Sequence, residues 1–427
     1  MFERNAKTWP PSDRRATLAA MTHTAETAER PRLEPGYWRV WWANTVSSVG
    51  DGAFVSALPL LAVTVTRDPR LISLVSAAFF VPWLLLSLSA GALVDRCDRA
   101  TLMWRAQAVQ GVVVALIAVL AAVGAAGIGL LIAAGFCLGA AEVVFSNAAQ
   151  AVLPQLVPAE LLPRANGNLQ VSLTVGETFL GPPLGSVLFA AGRALPFGLD
   201  AGSFAGSALL LSGLPRQAPA GAAGGLGARI AGGLRWLFRH RLLRVVAVLL
   251  GVMGFCSQMG QAVLVLLATQ TLHIGARGYG LLWTASAVGS ILGGLANPVL
   301  TRRLGQMPAL IIAMAATAIV FAGIGLAPDA YVAGLMMACN GFFVTMWNVV
   351  TVSLRQRIVP PGLLGRVNSV YRMLGWGPMP LGALAGGFVA HAAGLRAPYL
   401  VAGLLTGLAL AAAVPILLAA ERAVTHV

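Results

Sequence analysis

"GALVDRCDRATL", residues 91–102, sets Asp95, Arg96, Asp98 and Arg99 within five positions. The run just before it, residues 71–94, holds no charged side chain. Charge is scarce throughout: Asp, Glu, Lys and Arg make up 10% of the 427 residues and apolar residues 58%, where soluble domains carry about a quarter charged residues. Fifteen acids and 29 bases cannot coat a core of this size. The chain is therefore solvated by lipid, and the charged stretch marks a point where it leaves the bilayer.

Working outward from that stretch, apolar runs occur near 38–64, 71–94, 101–123, 127–153, 167–191, 194–214, 242–270, 277–300, 307–327, 330–353, 364–393 and 397–420. Each approximates the ~20 residues that a helix needs to cross a bilayer, and many are rich in Gly and Ala, which let helices pack closely in lipid. The expected fold is an all-α polytopic membrane protein with twelve transmembrane helices in two six-helix halves. Residues 1–37 read as a disordered cytoplasmic tail; they are polar and lack the apolar core of a signal peptide. Residues 38–214 form the first bundle, 215–240 a cytoplasmic linker, 241–420 the second bundle and 421–427 a short tail. Within the linker, "QAPAGAAGGLGARIAGG" (217–233) reads as flexible, and "LRWLFRH" (234–240) as a short amphipathic helix on the membrane surface.

The formal charge of +14 reports topology, since the bases are spread between apolar runs and form no dense nucleic-acid patch. With both termini inside, the inner segments hold Arg96, Arg99, Arg164, Arg302, Arg303, Arg355, Arg357 and Arg366, and the linker region adds six more arginines. The opposite loops hold Arg67, Arg70, Arg193, Arg277 and Arg396. This bias places the protein in the cell inner (plasma) membrane with cytoplasmic termini, and Trp38, Trp41 and Trp42 anchor the first span at the inner interface. Cys97, Cys137, Cys256 and Cys339 are too dispersed for a disulfide framework or a metal site.

The two halves repeat. "LVPAELLPRAN" (156–166) aligns with "IVPPGLLGRVN" (358–368) at a constant offset of 202: Pro158 matches Pro360, Arg164 matches Arg366 and Asn166 matches Asn368. "TRRLGQMPAL" (301–310) echoes "DRCDRATLMW" (95–104) more weakly. Duplicated six-helix halves are transporter architecture, and one superfamily in particular is built this way.

"GALVDRCDRATL" resembles the signature of that superfamily, the major facilitators, roughly G-x-L-x-D-[RK]-x-G-[RK]-[RK]. Gly91, Leu93, Asp95, Arg96 and Arg99 fit, while Asp98 and Ala100 depart from it. The resemblance implies that Asp95 acts as a gate, packing against the N-terminal end of the eleventh helix, expected near Leu364, where a carboxylate is favoured. "AEVVFSNAAQAVLPQLVPAELLPRANGNLQ" and "GPPLGSVLFAAG" look most like the enterobactin-exporter and macrolide-efflux branch. "GPPLG" (181–185) partly resembles the antiporter motif of drug exporters through Gly181, Pro182 and Gly185, with Ser186 where a second Gly is usual. The same residues also read as a kinked, closely packed helix.

Ionisable groups inside spans are functional candidates. Asp51, Glu142, Glu177 and Asp200 qualify, all in the first half. Desolvation favours a neutral carboxyl and a neighbouring guanidinium a charged one. A site that alternates between water and apolar surroundings can thus load and release a proton. Asp51, between Gly50 and Gly52, is the first candidate, followed by Glu142 and Glu177; Asp200 reads as the most structural. The acids also suit a cationic substrate. Arg372 and Arg105 are the candidate counter-ions, with snorkelling to the interface the alternative for Arg372. Phe80, Trp83, Phe145, Met259, Phe342, Trp347 and Trp376 are candidate cavity aromatics and methionines. His391 is a weak candidate for proton carriage.

No P-loop is present, and the single lysine, Lys7, lies in the tail, so the chain supplies no ATPase chemistry. No nucleophile elbow or HExxH cluster occurs. The sequence reads as a secondary transporter, not an enzyme, that exports a small amphipathic molecule (drug, macrolide or siderophore) in exchange for protons. Its partners are the substrate, protons and the lipid bilayer; no nucleic acid, cofactor or metal is expected, and a monomer suffices. An importer, a lipid or envelope-precursor exporter, and a non-transporting sensor or scaffold are the alternatives.

Overall fold

The computed structural model describes residues 33–215 and 234–425. The tail 1–32, the glycine-rich linker segment 216–233 and residues 426–427 lie outside the described residues, as do the side chains of Gly91, Asp95, Leu364 and Arg366. The first half contains α1 (Pro35–Val65), α2 (Pro69–Arg96), α3 (Arg99–Ala122), α4 (Ile128–Leu156), α5 (Leu162–Leu173), α6 (Gly181–Ala191) and α7 (Leu195–Ser212). The second contains α8 (Arg241–Leu266), α9 (Ala276–Leu304), α10 (Gln306–Leu326), α11 (Ala330–Ile358), α12 (Pro361–Trp376), α13 (Met379–Ala393) and α14 (Ala397–Thr425).

Among the described residues, nine helices are long and apolar enough to cross a membrane on their own. The other three expected crossings have identifiable reasons to fall short. The fifth is α5 and α6 joined through a π-helical turn, Thr174–Leu180, and the eleventh is α12 and α13 separated at Gly377–Pro378. Prolines at 182 and 183, and at 378 and 380, remove the N–H donors that a continuous helix needs. The sixth, α7, has 18 residues and carries Asp200 among glycines and serines. Side chains on the outside are apolar, with Leu209 75%, Leu295 72% and Ile319 71% exposed. That is the surface of a multi-pass membrane protein.

Acids outside the bilayer serve largely as helix caps. Asp68 accepts from the Arg70 N–H at 2.9 Å at the start of α2, and Asp98 from the Thr101 N–H at 2.9 Å at the start of α3. Asp329 accepts from both Tyr331 and Val332 at the start of α11. The charged stretch at 95–99 is thereby explained in part. Asp98 caps α3, while Arg99, only 5% exposed, donates from Nη1 to the Ala151 carbonyl at 2.9 Å and ties α3 to the end of α4. Arg96 is exposed. Of the three tryptophans at the start of α1, Trp38 and Trp42 are exposed, whereas Trp41 turns inward and donates to the Asn168 carbonyl.

The principal helix pairings of one half have counterparts in the other: α2 with α4 and α9 with α11, α3 with α7 and α10 with α14, α1 with α6 and α8 with α13. Missing side chains permit these approaches. Gly181 and Gly185 set α6 against the backbone of α1 at Gly52 and Ala53, and Gly382 and Gly386 set α13 against α8 at Phe255 and Met259. This four-residue glycine spacing is a close-packing device in lipid.

The halves meet along two seams, α2 with α13 and α6 with α9. A Cβ on Gly387 would lie 2.6 Å from Ser73 Cβ in one seam, and a Cβ on Gly280 would lie 2.6 Å from Ser186 Cβ in the other. Away from the termini, one apolar cluster runs through both halves, from Phe54, Leu61 and Leu138 to Val263, Tyr279 and Phe321. At the end that carries the termini, the apolar packing divides into two clusters. One, with Tyr37, Met103 and Leu153, belongs to the first half; the other, with Leu243, Trp347 and Tyr371, belongs to the second. The halves are thus joined at the far end and parted at the terminal end.

Candidate substrate and coupling site

The parted end contains a cavity of about 580 Å³. Its wall comes almost wholly from the first half: α1 through Val40 and Asn44, α2 through Trp83, α4 from Glu142 to Leu153, and the α5–π segment from Asn166 to Thr178. The second half supplies Arg372 and Trp376. Trp376 is the last residue of α12, directly before the break at Gly377, and its ring lies 4.5 Å from that of Trp83.

Glu177 sits in the π-helical turn, where the Gly181 N–H reaches back to the Gly176 carbonyl. The turn widens the helix by one residue and offsets Glu177 from the regular α repeat. Single-turn π segments are frequent at functional sites. Glu142 projects from α4 into the same cavity, and Gln110 Nε2 of α3 donates to its Oε2 at 3.2 Å.

Asp51 and Asp200 lie beside the cavity, away from its wall. Gly50 leaves room for the Asp200 carboxylate and Ser203 against α1, so Asp200 and Asp51 are neighbours across the α1–α7 contact. Asp200 is 1% exposed and accepts from Ser203 Oγ at 3.3 Å. Asp51 is half-buried. Asp51 is the common neighbour: it lies within electrostatic reach of Asp200, Glu142 and Glu177, and Glu142 within reach of Glu177. The result is a surplus of acid within one half-bundle. It faces a cavity whose opposite wall carries, among the described residues, a single guanidinium, Arg372.

Among the described residues no ion pair joins Arg372 to any of these acids. Arg105, the other candidate counter-ion, is a correction: it is exposed, with its guanidinium 5.5 Å from the Trp104 ring, and lines no part of the cavity. A position early in a span fixes depth but not the side of the helix, and here the side is outward. Of the aromatic and Met candidates, Trp83, Phe145 and Trp376 line the cavity. Phe80 packs towards Trp376 at 6.5 Å, Met259 and Trp347 are core residues, and Phe342 packs against the core of the second half. His391 lies at the far end, 3.9 Å from Asp68.

Gly91 falls within α2 and Asp95 is its penultimate residue. Gly181, Pro182 and Gly185 are buried where α6 packs on α1. Sequence reasoning missed Gln110, together with the neutral cavity residues Asn44, Gln150, Asn166, Gln170 and Thr178. The available signal was a set of amide side chains inside or at the edge of apolar runs.

A family profile described as "Transmembrane secretion effector" matches residues 31–425. An uncharacterized MFS-type transporter of Mycobacterium tuberculosis is 33% identical over 153 residues, covering 35% of this chain and 34% of the relative. The chain thus aligns with about a third of that relative's length. The multidrug efflux pump Tap of the same species is 26% identical over 381 residues, covering 86% of this chain and 89% of Tap. Among solved structures, a point mutant of the nucleoside transporter NupG superposes with a TM-score of 0.70 at 14% identity, covering 88% of this chain and 98% of NupG. A bacterial homologue of the iron transporter ferroportin, in its inward-facing state, superposes with a TM-score of 0.66 at 17% identity, covering 88% and 97%. At these identities the structural likeness speaks to the fold alone.

Proposed function

The chain belongs to the transmembrane secretion effector family of major facilitator transporters, and from that membership we propose that it exports a small amphipathic molecule in exchange for protons. The observation that carries this reading is the cavity in which Glu142 and Glu177 stand with Trp83, Phe145 and Trp376. The rings offer an apolar surface to a hydrophobic cargo, and the acids can hold either protons or a positive group on that cargo. Mutual occupancy is disfavoured, which is the physical basis of exchange. The resemblance to Tap, itself described as a multidrug efflux pump, supports export over import.

The arginine bias supports cytoplasmic termini; on that reading the parted end faces inwards and the cavity is open to cytoplasmic cargo. The two bundles, 38–214 and 241–420, rock about the midplane to expose the acids on the other side. Asp51 and Asp200 extend the acid set towards the far end, where protons enter once the seams open. At the inner face, Asp95 near the end of α2 locks onto the start of α12 when the terminal ends close.

The test is transport in proteoliposomes that contain a pH dye and carry an imposed proton gradient, challenged with macrolides, lipophilic cations and siderophores. Proton flux evoked by one compound class and lost in Glu142→Gln supports the reading. Export that continues unchanged after the proton gradient is collapsed refutes it.

A further inference from the structure

Among the described residues, Arg372 is the one charged group that the second half brings to the cavity. It is half-buried, and no hydrogen bond, ion pair or ring contact among those residues engages its guanidinium. Other half-buried or buried arginines are engaged. Arg99 donates to the Ala151 carbonyl at 2.9 Å and Arg396 to the Gly325 carbonyl at 3.1 Å, and the Arg355 guanidinium lies 4.5 Å from the centre of the Tyr371 ring. An unpaired charge within a crossing is costly, and such residues mark substrate paths. A guanidinium presents its donors as a rigid fork that matches a carboxylate or a phosphate.

A second donor at the cavity is also unmatched. Trp83 is 8% exposed and its Nε1 has no acceptor. Its ring lies against that of Trp376, and Trp376 follows Arg372 by one turn on the same face of α12. These groups border one chamber with Glu142 and Glu177, and the chamber's volume of about 580 Å³ suits a drug-sized molecule. The chamber is polarised, with acids on the wall of the first half and a base on that of the second, and neither acid pairs with Arg372. A lipophilic cation would engage the acids and the rings and leave Arg372 unpaired. A plain anion would engage Arg372 and be repelled by the carboxylates. A molecule that carries both charges on an aromatic frame matches both walls.

We propose that Arg372 sets cargo specificity by receiving an acidic group, so that the exported molecule is an aromatic zwitterion and not a plain lipophilic cation. This deepens, and rests on, the reading of the cavity as the cargo site. The bound cargo then bridges the halves, with its acid on α12 and its positive group towards α4 and the π turn.

The experiment is fluorescence-polarisation binding of matched dyes to the full chain in lipid nanodiscs. One dye is a rhodamine with a free carboxyl group. Another is the methyl ester of the same rhodamine, which keeps the positive charge and loses the acid. Fluorescein, which keeps the acid and loses the positive charge, completes the set. The free-acid rhodamine should bind about tenfold to a hundredfold more tightly than its ester, the range for a charge-assisted hydrogen-bonded pair, and more tightly than fluorescein. Arg372→Gln should bring the free acid down to the level of the ester. Arg372→Lys, which keeps the charge without the fork, should restore part of the difference. Equal affinity of the two rhodamines in the unmodified protein overturns the proposal, as does absence of binding by both. An equal loss for both in a folded Arg372→Gln protein overturns it too, because it marks a packing role. So does tighter ester binding in that variant with no loss for the free acid, which marks Arg372 as a counter-ion of Glu142 and Glu177. Export of the two rhodamines from vesicles separates this proposal from proton exchange. Proton-driven export of the ester with no preference for the free acid removes the role of Arg372 and keeps exchange; a preference for the free acid with export blind to the proton gradient does the reverse.

Discussion

Trp83 and Trp376 bring their ring centroids to 4.5 Å although one belongs to α2 and the other ends α12. The pair bridges the two halves at the wall of the cavity, beside the break at Gly377–Pro378. An aromatic contact of this kind contributes about 0.5–1.5 kcal/mol beyond the area it buries. A cargo ring that packs on Trp376 in the cavity gains a similar amount, so Trp376→Ala should raise the KM for an aromatic cargo by about threefold to tenfold, while Trp376→Phe should recover most of the loss. Initial export rates against cargo concentration provide the check.

Exchange of an acid for its amide should separate binding from coupling. Glu177→Gln and Glu142→Gln keep the cavity's shape and remove the titrating group. Uphill export driven by a pH gradient is expected to fall to passive equilibration in both, with downhill counterflow of cargo retained. Counterflow and gradient-driven uptake measured in the same vesicles distinguish the two.

The far-end seam offers a steric test of alternating access. A Cβ at Gly387 would stand 2.6 Å from Ser73 Cβ, so Gly387→Leu cannot be accommodated while the far end is closed. The variant should shift the population towards the state open at the far end. Its signature is faster labelling, by a membrane-impermeant thiol reagent added outside, of a cysteine introduced at Ser73.

Helix approach within a half is equally strict. Gly185→Val directs a methyl towards Ala53 Cα and Ser56 Oγ, each 2.6 Å from the first added carbon. Overpacking of this kind costs about 1–3 kcal/mol, and Tm should fall accordingly in nanodiscs. The matching Gly386→Val change on α13, where the added carbon would lie 3.0 Å from Met259 Cα, should behave alike.

At the start of α2 the Arg70 side chain, then its backbone N–H, hydrogen-bond to Asp68 and hold its carboxyl below the usual carboxylate range. A carboxyl lowered on folding stabilises the folded state above its unfolded-state value, and that contribution is lost as pH falls through the lowered value. Asp68→Asn should therefore reduce Tm from neutral pH down to the ordinary carboxylate range. The difference from the unmodified protein should close at more acid pH, as followed by unfolding curves over that range.

The amino-acid sequence by itself determined the class of solvent, the order of the crossings and the duplication. Apolar length and charge bias are written along the chain and need no knowledge of what packs on what. It also marked the prolines at 182, 183, 378 and 380, whose missing donors interrupt the fifth and eleventh crossings. Only the tertiary structure decided which faces look inwards. A span that is apolar all round carries little signal for its own rotation, so Arg105 and Arg372 looked equivalent in sequence, yet one lies outside and the other lines the cavity. The same physics explains why Gln110 was missed and why Glu142 and Glu177 share a chamber while Asp200 lies sealed behind them. Their placement follows from how far Gly50, Gly52, Gly181 and Gly185 let neighbouring backbones approach, a property of helix pairs and not of any single run of residues.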